Sequence, residues 1–326
     1  IFCAGGDVKS IYEQQKENFA NGIEFKPGQR NCFASDFFRC EYGLDHAIAT
    51  SEIPQVSIWD GIVMGGGVGV SIHGKYRIAT ENTLFAMPET GIGLFPDVGG
   101  MYWLPRLRKR HWGTFLALTG HIIGPKDVLH AGIATHYVSS SKIPELKRAL
   151  IDASSETAND PSDFVSQTLM SFHEHIDTSK SFLVQNDEEM ELVFSGDRNP
   201  TLEAIIEVLA EKAEASNFCG DTLKKLRRMS PTSLKVTLEA LKRGLNECET
   251  IGDDLAMEYR LSQAFMRQDS DFYEGIRAAL VDKDKNPQWN PAKLEDVTSD
   301  IVESYFKPLG ENLDWSIEDE DSKSKL

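Results

Sequence analysis

Three glycine-bearing stretches, Phe2-Cys-Ala-Gly-Gly-Asp7, Gly61-Ile-Val-Met-Gly-Gly-Gly67 and Met87-Pro-Glu-Thr-Gly-Ile-Gly-Leu-Phe-Pro-Asp97, decide how this chain is read. Each closes a strand-like apolar run and enters a turn or a helix start. Glycine at such a place lets a ligand come close to the backbone, and the first N–H groups of a helix have no acceptor within the helix. Two such donors from separate stretches, aimed at one point, would form an oxyanion hole. Three unrelated tight turns would carry the same residues, so this reading of the glycines stays open until something else joins them.

Outward from these stretches the chain alternates strands and helices up to about residue 140. Val56 and Ile58 sit at period two behind Pro54, Asp60-Gly61 makes a turn, and Gly65 to Gly67 open a short helical segment. Tyr76 to Ala79 and Thr83 to Ala86 read as further strands separated by the turn-like pair Glu81-Asn82. Later the apolar spacing changes to near 3.6 over 142–152, 160–176, 200–216, 221–228, 231–247 and 253–268, each opened by Ser, Thr, Asp or Pro. The expected organisation is an α/β core over 1–140, a helical region over 141–310 and a disordered acidic tail over 311–326.

Charge and length narrow the function. A formal net charge of −17 opposes a nucleic-acid partner, which needs clustered cations. No run approaches the ~18 apolar residues of a membrane span. The one compact basic cluster, Arg106, Arg108, Lys109, Arg110 and His111, reads either as a patch for a polyanionic ligand or as a solvated helix face. Five cysteines, none in CxxC spacing, fit reduced thiols, and His173 with His175 lacks the further ligands a metal would need.

Two rival chemistries find no support. No GxGxxG can be placed on the glycine turns, and Gly69-Val-Ser71-Ile-His73 lacks the last glycine of a serine-hydrolase elbow. Carboxylates remain. Glu89 stands among few other polar groups, where desolvation raises the pKa of an unpaired acid. Asp97 follows Pro96 at a helix start, where the helix dipole favours its charged form or where it serves as a cap. Glu41 shares a helical stripe with Phe37, Leu44 and Ile48 on a face expected to be buried, and there it holds either a ligand hydroxyl or a structural Arg.

In order and spacing, the FCAGGD, GGG and MPE segments resemble the crotonase (enoyl-CoA hydratase/isomerase) superfamily. FPDVGG at Phe95–Gly100, MSPTSLK at Met229–Lys235, MEYRLSQ at Met257–Gln263 and EGIRAALVDKD at Glu274–Asp284 resemble its acyl-CoA thioester hydrolases for a short 3-hydroxyacyl group. The resemblance covers nearly the whole chain. It implies a spiral of ββα units, the N-terminal ones missing here because Ile1 opens inside an apolar strand, followed by a helical C-terminal region. It implies further that Gly6 and Gly66 supply the oxyanion hole, that Glu89 and Asp97 are the catalytic acids, and that Glu41 and Asp7 join Gly66, Glu89 and Asp97 in binding an acyl-CoA. No metal or cofactor is implied, since CoA is part of the substrate. The position matching the first hydratase glutamate is Gly69, which disfavours hydration of a double bond. The resemblance implies valine breakdown in mitochondria, against which Ser324-Lys325-Leu326 reads as a peroxisomal address. It leaves the oligomeric state open: superfamily members are often trimeric, and a helical C-terminal region also folds back on its own core.

Overall fold

Helix α1 (Val8–Ala20) and helix α2 (Phe33–Thr50) precede two ββα units that follow one another in the chain. In the first unit, β1 (Val56–Trp59) and β2 (Ile62–Met64) lead into α3 (Gly66–Ile72). In the second, β3 (Tyr76–Ala79) and β4 (Leu84–Ala86) lead through a 3-10 turn at Glu89–Ile92 to α4 (Gly100–Trp103). The computed structural model describes residues 1–154, 161–195, 200–310 and 313–316.

Each unit adds one strand to each of two parallel sheets, and that repetition makes the fold a spiral. One sheet has the order β1-β3-β5, with β5 at His136–Tyr137 after helices α5 (Arg110–Thr119) and α6 (Pro125–His130). The other pairs β2 with β4 and is flanked by bridges from Cys3 to Val63 and from Phe85 to Ile123. The parallel register sets Val56 opposite Tyr76 and Ile62 opposite Leu84. Parallel strands need crossovers, and the short helices supply them. Thr83 lies outside β4 because its hydroxyl bonds the carbonyl of Trp59 at 2.6 Å, closing the turn instead of extending the strand.

The remaining chain is helical: α7 (Ile143–Ser154), α8 (Pro161–Phe172), α9 (Phe182–Gln185), α10 (Asp187–Phe194), α11 (Leu202–Lys212), α12 (Asn217–Leu226), α13 (Pro231–Asn246), α14 (Ile251–Phe265), α15 (Asp271–Ile276) and α16 (Ser299–Tyr305). Ser216, Ser230 and Thr250 each accept the N–H three residues on, and Thr250 with Asp253 forms a reciprocal capping box. A cap of this kind contributes about 1 kcal/mol.

Packing crosses residue 140, where the element type changes. One apolar cluster joins Phe38, Val68, Phe95 and Met101 to Leu255 and Phe265, and the Phe95 and Phe265 rings stack at 5.6 Å. A smaller cluster of Tyr76, Ile78, Val138, Ile143 and Leu169 lies between the β1-β3-β5 sheet and helices α7 and α8. Most of the tail expected over 311–326, including Ser324-Lys325-Leu326, lies outside the described residues. Within it, Leu313 to Ser316 depart from the expectation of disorder: Trp315 is buried in the main cluster and Asp314 pairs with Arg260 at 3.1 Å.

Candidate active site

The glycine stretches meet at the ends of successive units. Gly5 (φ +111°) and Gly65 (φ +52°) hold conformations that side chains rarely adopt. Space enforces the same choice, because a Cβ on Gly65 would lie 2.8 Å from Oε1 of Glu89. A Cβ on Gly66 would lie 2.5 Å from Oε1 of Glu41 and 3.1 Å from the amide nitrogen of Gly6. The two amide-bearing turns and the two carboxylates therefore face a common space. Among the described residues, no turn, loop or cap hydrogen bond uses the N–H of Gly6 or Gly66.

Gly6, Gly66, Glu41, Glu89 and Asp97 all line one cavity of about 90 Å³, whose apolar walls include Phe37 and Leu94. A larger depression of about 560 Å³ shares Gly6, Phe37, Glu41 and Gly66 with it and extends past Cys3 and Val70. The arrangement is a small polar end joined to a wide, mainly apolar approach. A short acyl group fits the former, and a longer carrier fits the latter.

Charge in this pocket is poorly solvated. Glu89 and Asp97 are each only 5% exposed. Burial, followed by the nearby Asp97, pushes Glu89 well above the usual carboxylate range, and its Oε2 has no hydrogen-bond partner among the described residues. Burial lifts Asp97 to about 6, opposed by the Tyr42 hydroxyl, which donates to its Oδ2 at 2.9 Å. The expectation that a helix start would favour the charged form of Asp97 is corrected here: α4 begins three residues later, the side chain caps nothing, and burial dominates. Glu41 is raised by burial and then by Asp97, Asp45 and Glu89, with no structural Arg in that set of influences.

Several residues that shape the pocket escaped the sequence reading. Helix α2 buries Ala34, Phe38, Tyr42 and Asp45, whereas Leu44, expected on the inner stripe, is half exposed. The turn after Asp97 places Val98 at φ +56°, an unfavourable conformation for a β-branched residue that costs on the order of 1–3 kcal/mol. Three contacts hold it. The His73 ring, kept neutral by burial that lowers it to about 4, donates from Nε2 to the Val98 carbonyl at 2.8 Å. The carboxylate of Glu258 on α14 accepts the N–H groups of Gly99 and Met101 at 2.8 and 3.0 Å. The Val98 side chain rests on Gly69, where a Cβ would lie 2.7 Å from Cβ of Val98 and 2.9 Å from Oδ1 of Asp45. Position 69 has no room for a side chain, let alone a second reactive glutamate.

Other expected groups lie apart. Asp7 is exposed and caps α1, accepting the amide and the hydroxyl of Ser10 at 3.1 and 2.7 Å, and it does not line the cavity. In the basic cluster, Arg106 donates to the carbonyls of Tyr102, Gly244 and Cys248, and Lys109 and His111 both pair with Asp187, so these side chains bind helices to one another. His173 accepts the Tyr137 N–H at 3.1 Å and packs on His136. Among the described residues, no group of three or more His, Cys, Asp or Glu is arranged to hold a metal ion, and no helix is long and apolar enough to cross a membrane.

Residues 1–306 match the family model described as enoyl-CoA hydratase/isomerase. A relative from Gallus gallus named 3-hydroxyisobutyryl-CoA hydrolase, mitochondrial, is 48% identical over 313 residues, which is 95% of this chain and 75% of that protein. Proteins of the same name from Homo sapiens and Dictyostelium discoideum are 45% and 42% identical, each over 95% of this chain and over 74% and 77% of their own. Among solved structures, a carnitinyl-CoA dehydratase from Mycobacterium thermoresistibile superposes with a TM-score of 0.81 at 37% identity, covering 97% of this chain and 82% of that one. An enoyl-CoA hydratase from Rhodobacter sphaeroides follows at 0.79 and 34%, with the same coverage.

Proposed function

The chain belongs to the enoyl-CoA hydratase/isomerase family, and from that premise we propose that it hydrolyses the thioester of (S)-3-hydroxyisobutyryl-CoA to 3-hydroxyisobutyrate and CoA in valine breakdown. The observation that carries this reading is the meeting of Gly6, Gly66, Glu41, Glu89 and Asp97 around one small cavity. The mitochondrial names of the relatives support the same compartment for this chain.

The thioester oxygen is received by the N–H groups of Gly6 and Gly66. As the carbonyl carbon becomes tetrahedral, negative charge grows on that oxygen, and two backbone donors there stabilise it. Glu89 acts on the carbonyl carbon, either as a nucleophile forming a mixed anhydride or as a base deprotonating water. In the base route water forms the new C–O bond, the C–S bond breaks with its electron pair going to sulfur, and the proton that Glu89 took from water passes to the thiolate. In the nucleophile route Glu89 forms the C–O bond as the C–S bond breaks, and water then cleaves the anhydride, restoring Glu89 and releasing the acid, with one water proton ending on the CoA sulfur. Poor solvation leaves the Glu89 carboxylate a stronger base than a carboxylate in water. Asp97 and Glu41 bind the substrate hydroxyl. The activated acyl group comes with the thioester, so no cofactor enters the scheme.

A site built around that hydroxyl discriminates strongly against an analogue lacking it. Isobutyryl-CoA is expected to show a kcat/KM lower by up to ~10⁴-fold, read by release of free thiol. Equal rates for the two esters would remove the hydroxyl-binding role of Asp97 and Glu41. The same assay tests the function itself: thiol release from 3-hydroxyisobutyryl-CoA, with no hydration of crotonyl-CoA, is the expected pair of results. The blocked position 69 favours this over the hydratase reading, and absence of both activities would instead mark a non-catalytic acyl-CoA binder.

Tyr42 supplies a prediction about pH. Its hydroxyl favours the charged form of Asp97, so Tyr42→Phe raises the Asp97 pKa above its value of about 6. The inflection of kcat/KM that belongs to Asp97, as distinct from that of Glu89, is then expected to move up by about one pH unit, the size of a charge-assisted hydrogen bond. A profile between pH 5 and 8 that stays where it is in the native enzyme would show that Tyr42 does not hold that charge.

A further inference from the structure

Asp45 is a carboxyl group for which the mechanism above has no use. It lies on α2 one turn beyond Glu41 and three residues beyond Tyr42, the donor to Asp97. It is fully buried, and among the described residues neither of its oxygens has a hydrogen-bond partner. Its Oδ1 and the Val98 side chain together fill the space beside Gly69, directly behind the turn that carries Asp97.

A carboxylate cannot remain charged in such a place. Removing an ion from water without a hydrogen bond or an opposite charge costs far more than protonating it. The groups around Asp45 make ionisation harder still. Asp97 faces it from the strained turn and Glu41 from its own helix; Glu89 raises Glu41 in turn, and Asp97 raises both Glu89 and Glu258. His73, which donates to the Val98 carbonyl, is kept neutral by burial, and the Tyr42 phenol is buried with its pKa raised. The charges that raise Glu41, Asp45 and Glu89 come from other acids, and among the described residues no cation figures in the influences on these three or on Asp97. Four carboxyl groups this close together cannot all be ionised, so protons are held among them.

We propose that Asp45 is a positioning residue for the hydrolytic site: a carboxyl group kept as the neutral acid behind Asp97, whose neutrality lets Asp97 and the developing oxyanion carry the negative charge. The inference rests on the hydrolase reading for its kinetic consequence but not for the charge state itself. Burial and Asp97 push Asp45 up to about 8, so ionisation above that pH places a new negative charge behind Asp97. Activity then falls on the alkaline side as Asp97 and Glu41 are driven to hold protons and the oxyanion is repelled.

Asp45→Asn separates this role from mere space-filling, because the amide copies the neutral acid in size and cannot ionise. After correction for spontaneous thioester hydrolysis, native kcat/KM is expected to drop about tenfold per pH unit above pH 8. The variant is expected to stay level up to about pH 9.5 and to match the native rate within about threefold at pH 7. Its Tm relative to the native protein should rise with pH. The folded-state pKa of Asp45 lies above its unfolded value of about 3.9, so native stability declines between these two values as pH rises, and asparagine removes that decline.

Infrared spectroscopy of the free enzyme reads the same proton without substrate. The native protein is expected to show a protonated carboxyl band at pH 7 that titrates near pH 8 and is missing from Asp45→Asn. An unchanged alkaline limb in the variant, a loss of tenfold or more at pH 7, or an unaltered infrared band would each overturn the proposal. A native enzyme that releases no thiol at any pH would sink the hydrolase reading, while the infrared and Tm measurements would still decide the state of Asp45.

Discussion

Glu89→Gln is expected to lower thiol release from 3-hydroxyisobutyryl-CoA by about 10³-fold or more while acyl-CoA binding stays within a few fold of native. The amide keeps the volume of the side chain and loses the electron pair that either route requires. Folding should survive the change. The native carboxyl is buried beside Asp97 with one oxygen unpartnered, and a neutral group at that position relieves the repulsion. Equilibrium binding of a non-hydrolysable acyl-CoA thioether, measured beside single-turnover thiol release, separates the two effects. A variant turning over at the native rate would take the reaction away from Glu89.

Gly66→Ala is the second large effect. Its new methyl group would stand 2.5 Å from Oε1 of Glu41 and 3.1 Å from the Gly6 nitrogen, where the thioester oxygen has to sit. Loss of one oxyanion donor costs about 2.7–4 kcal/mol of barrier, or 10²–10³ in kcat, and here both donors are obstructed. A fall in kcat/KM beyond about 10³-fold is therefore expected, with KM rising as the acyl end is excluded. Gly124→Ala is the control, since a Cβ there meets nothing within 4 Å. If Gly66→Ala and Gly124→Ala behave alike in the thiol assay, the oxyanion hole lies elsewhere.

These two residues were legible from sequence because local chemistry marks them. A glycine triplet after an apolar run and a lone glutamate behind Met87-Pro88 are unusual wherever the chain folds, and the strand at Tyr76–Ala79 formed over the residues its pattern indicated. Helix α2 was harder. Phe33, Phe37, Phe38 and Tyr42 place aromatic rings around much of its circumference, so periodicity admits two inner stripes one residue apart. Packing against α14 selects the stripe through Phe38 and Tyr42, and Asp45 is buried with it, leaving Glu41 at the cavity wall. A continuation of the Phe38–Tyr42 spacing to position 45 was the available signal.

Asp97 shows a different limit. Pro96 beside it suggested a helix start that the chain delays to Gly100, and the burial that governs its charge comes from the fold around it. Helices α9, α10, α15 and α16 lay outside the periodic segments read from sequence; at four to eight residues each, they present too few turns for a period to emerge.

Glu258 stands 159 residues from the glycine whose amide it holds. The late helices are thus no detachable appendage: without that carboxylate the backbone beyond Asp97 would have two amides to satisfy and a contorted valine to relax. Inherited changes on the far side of the chain can therefore silence the chemistry without approaching the substrate, and a transplanted spiral could not bring the reaction with it.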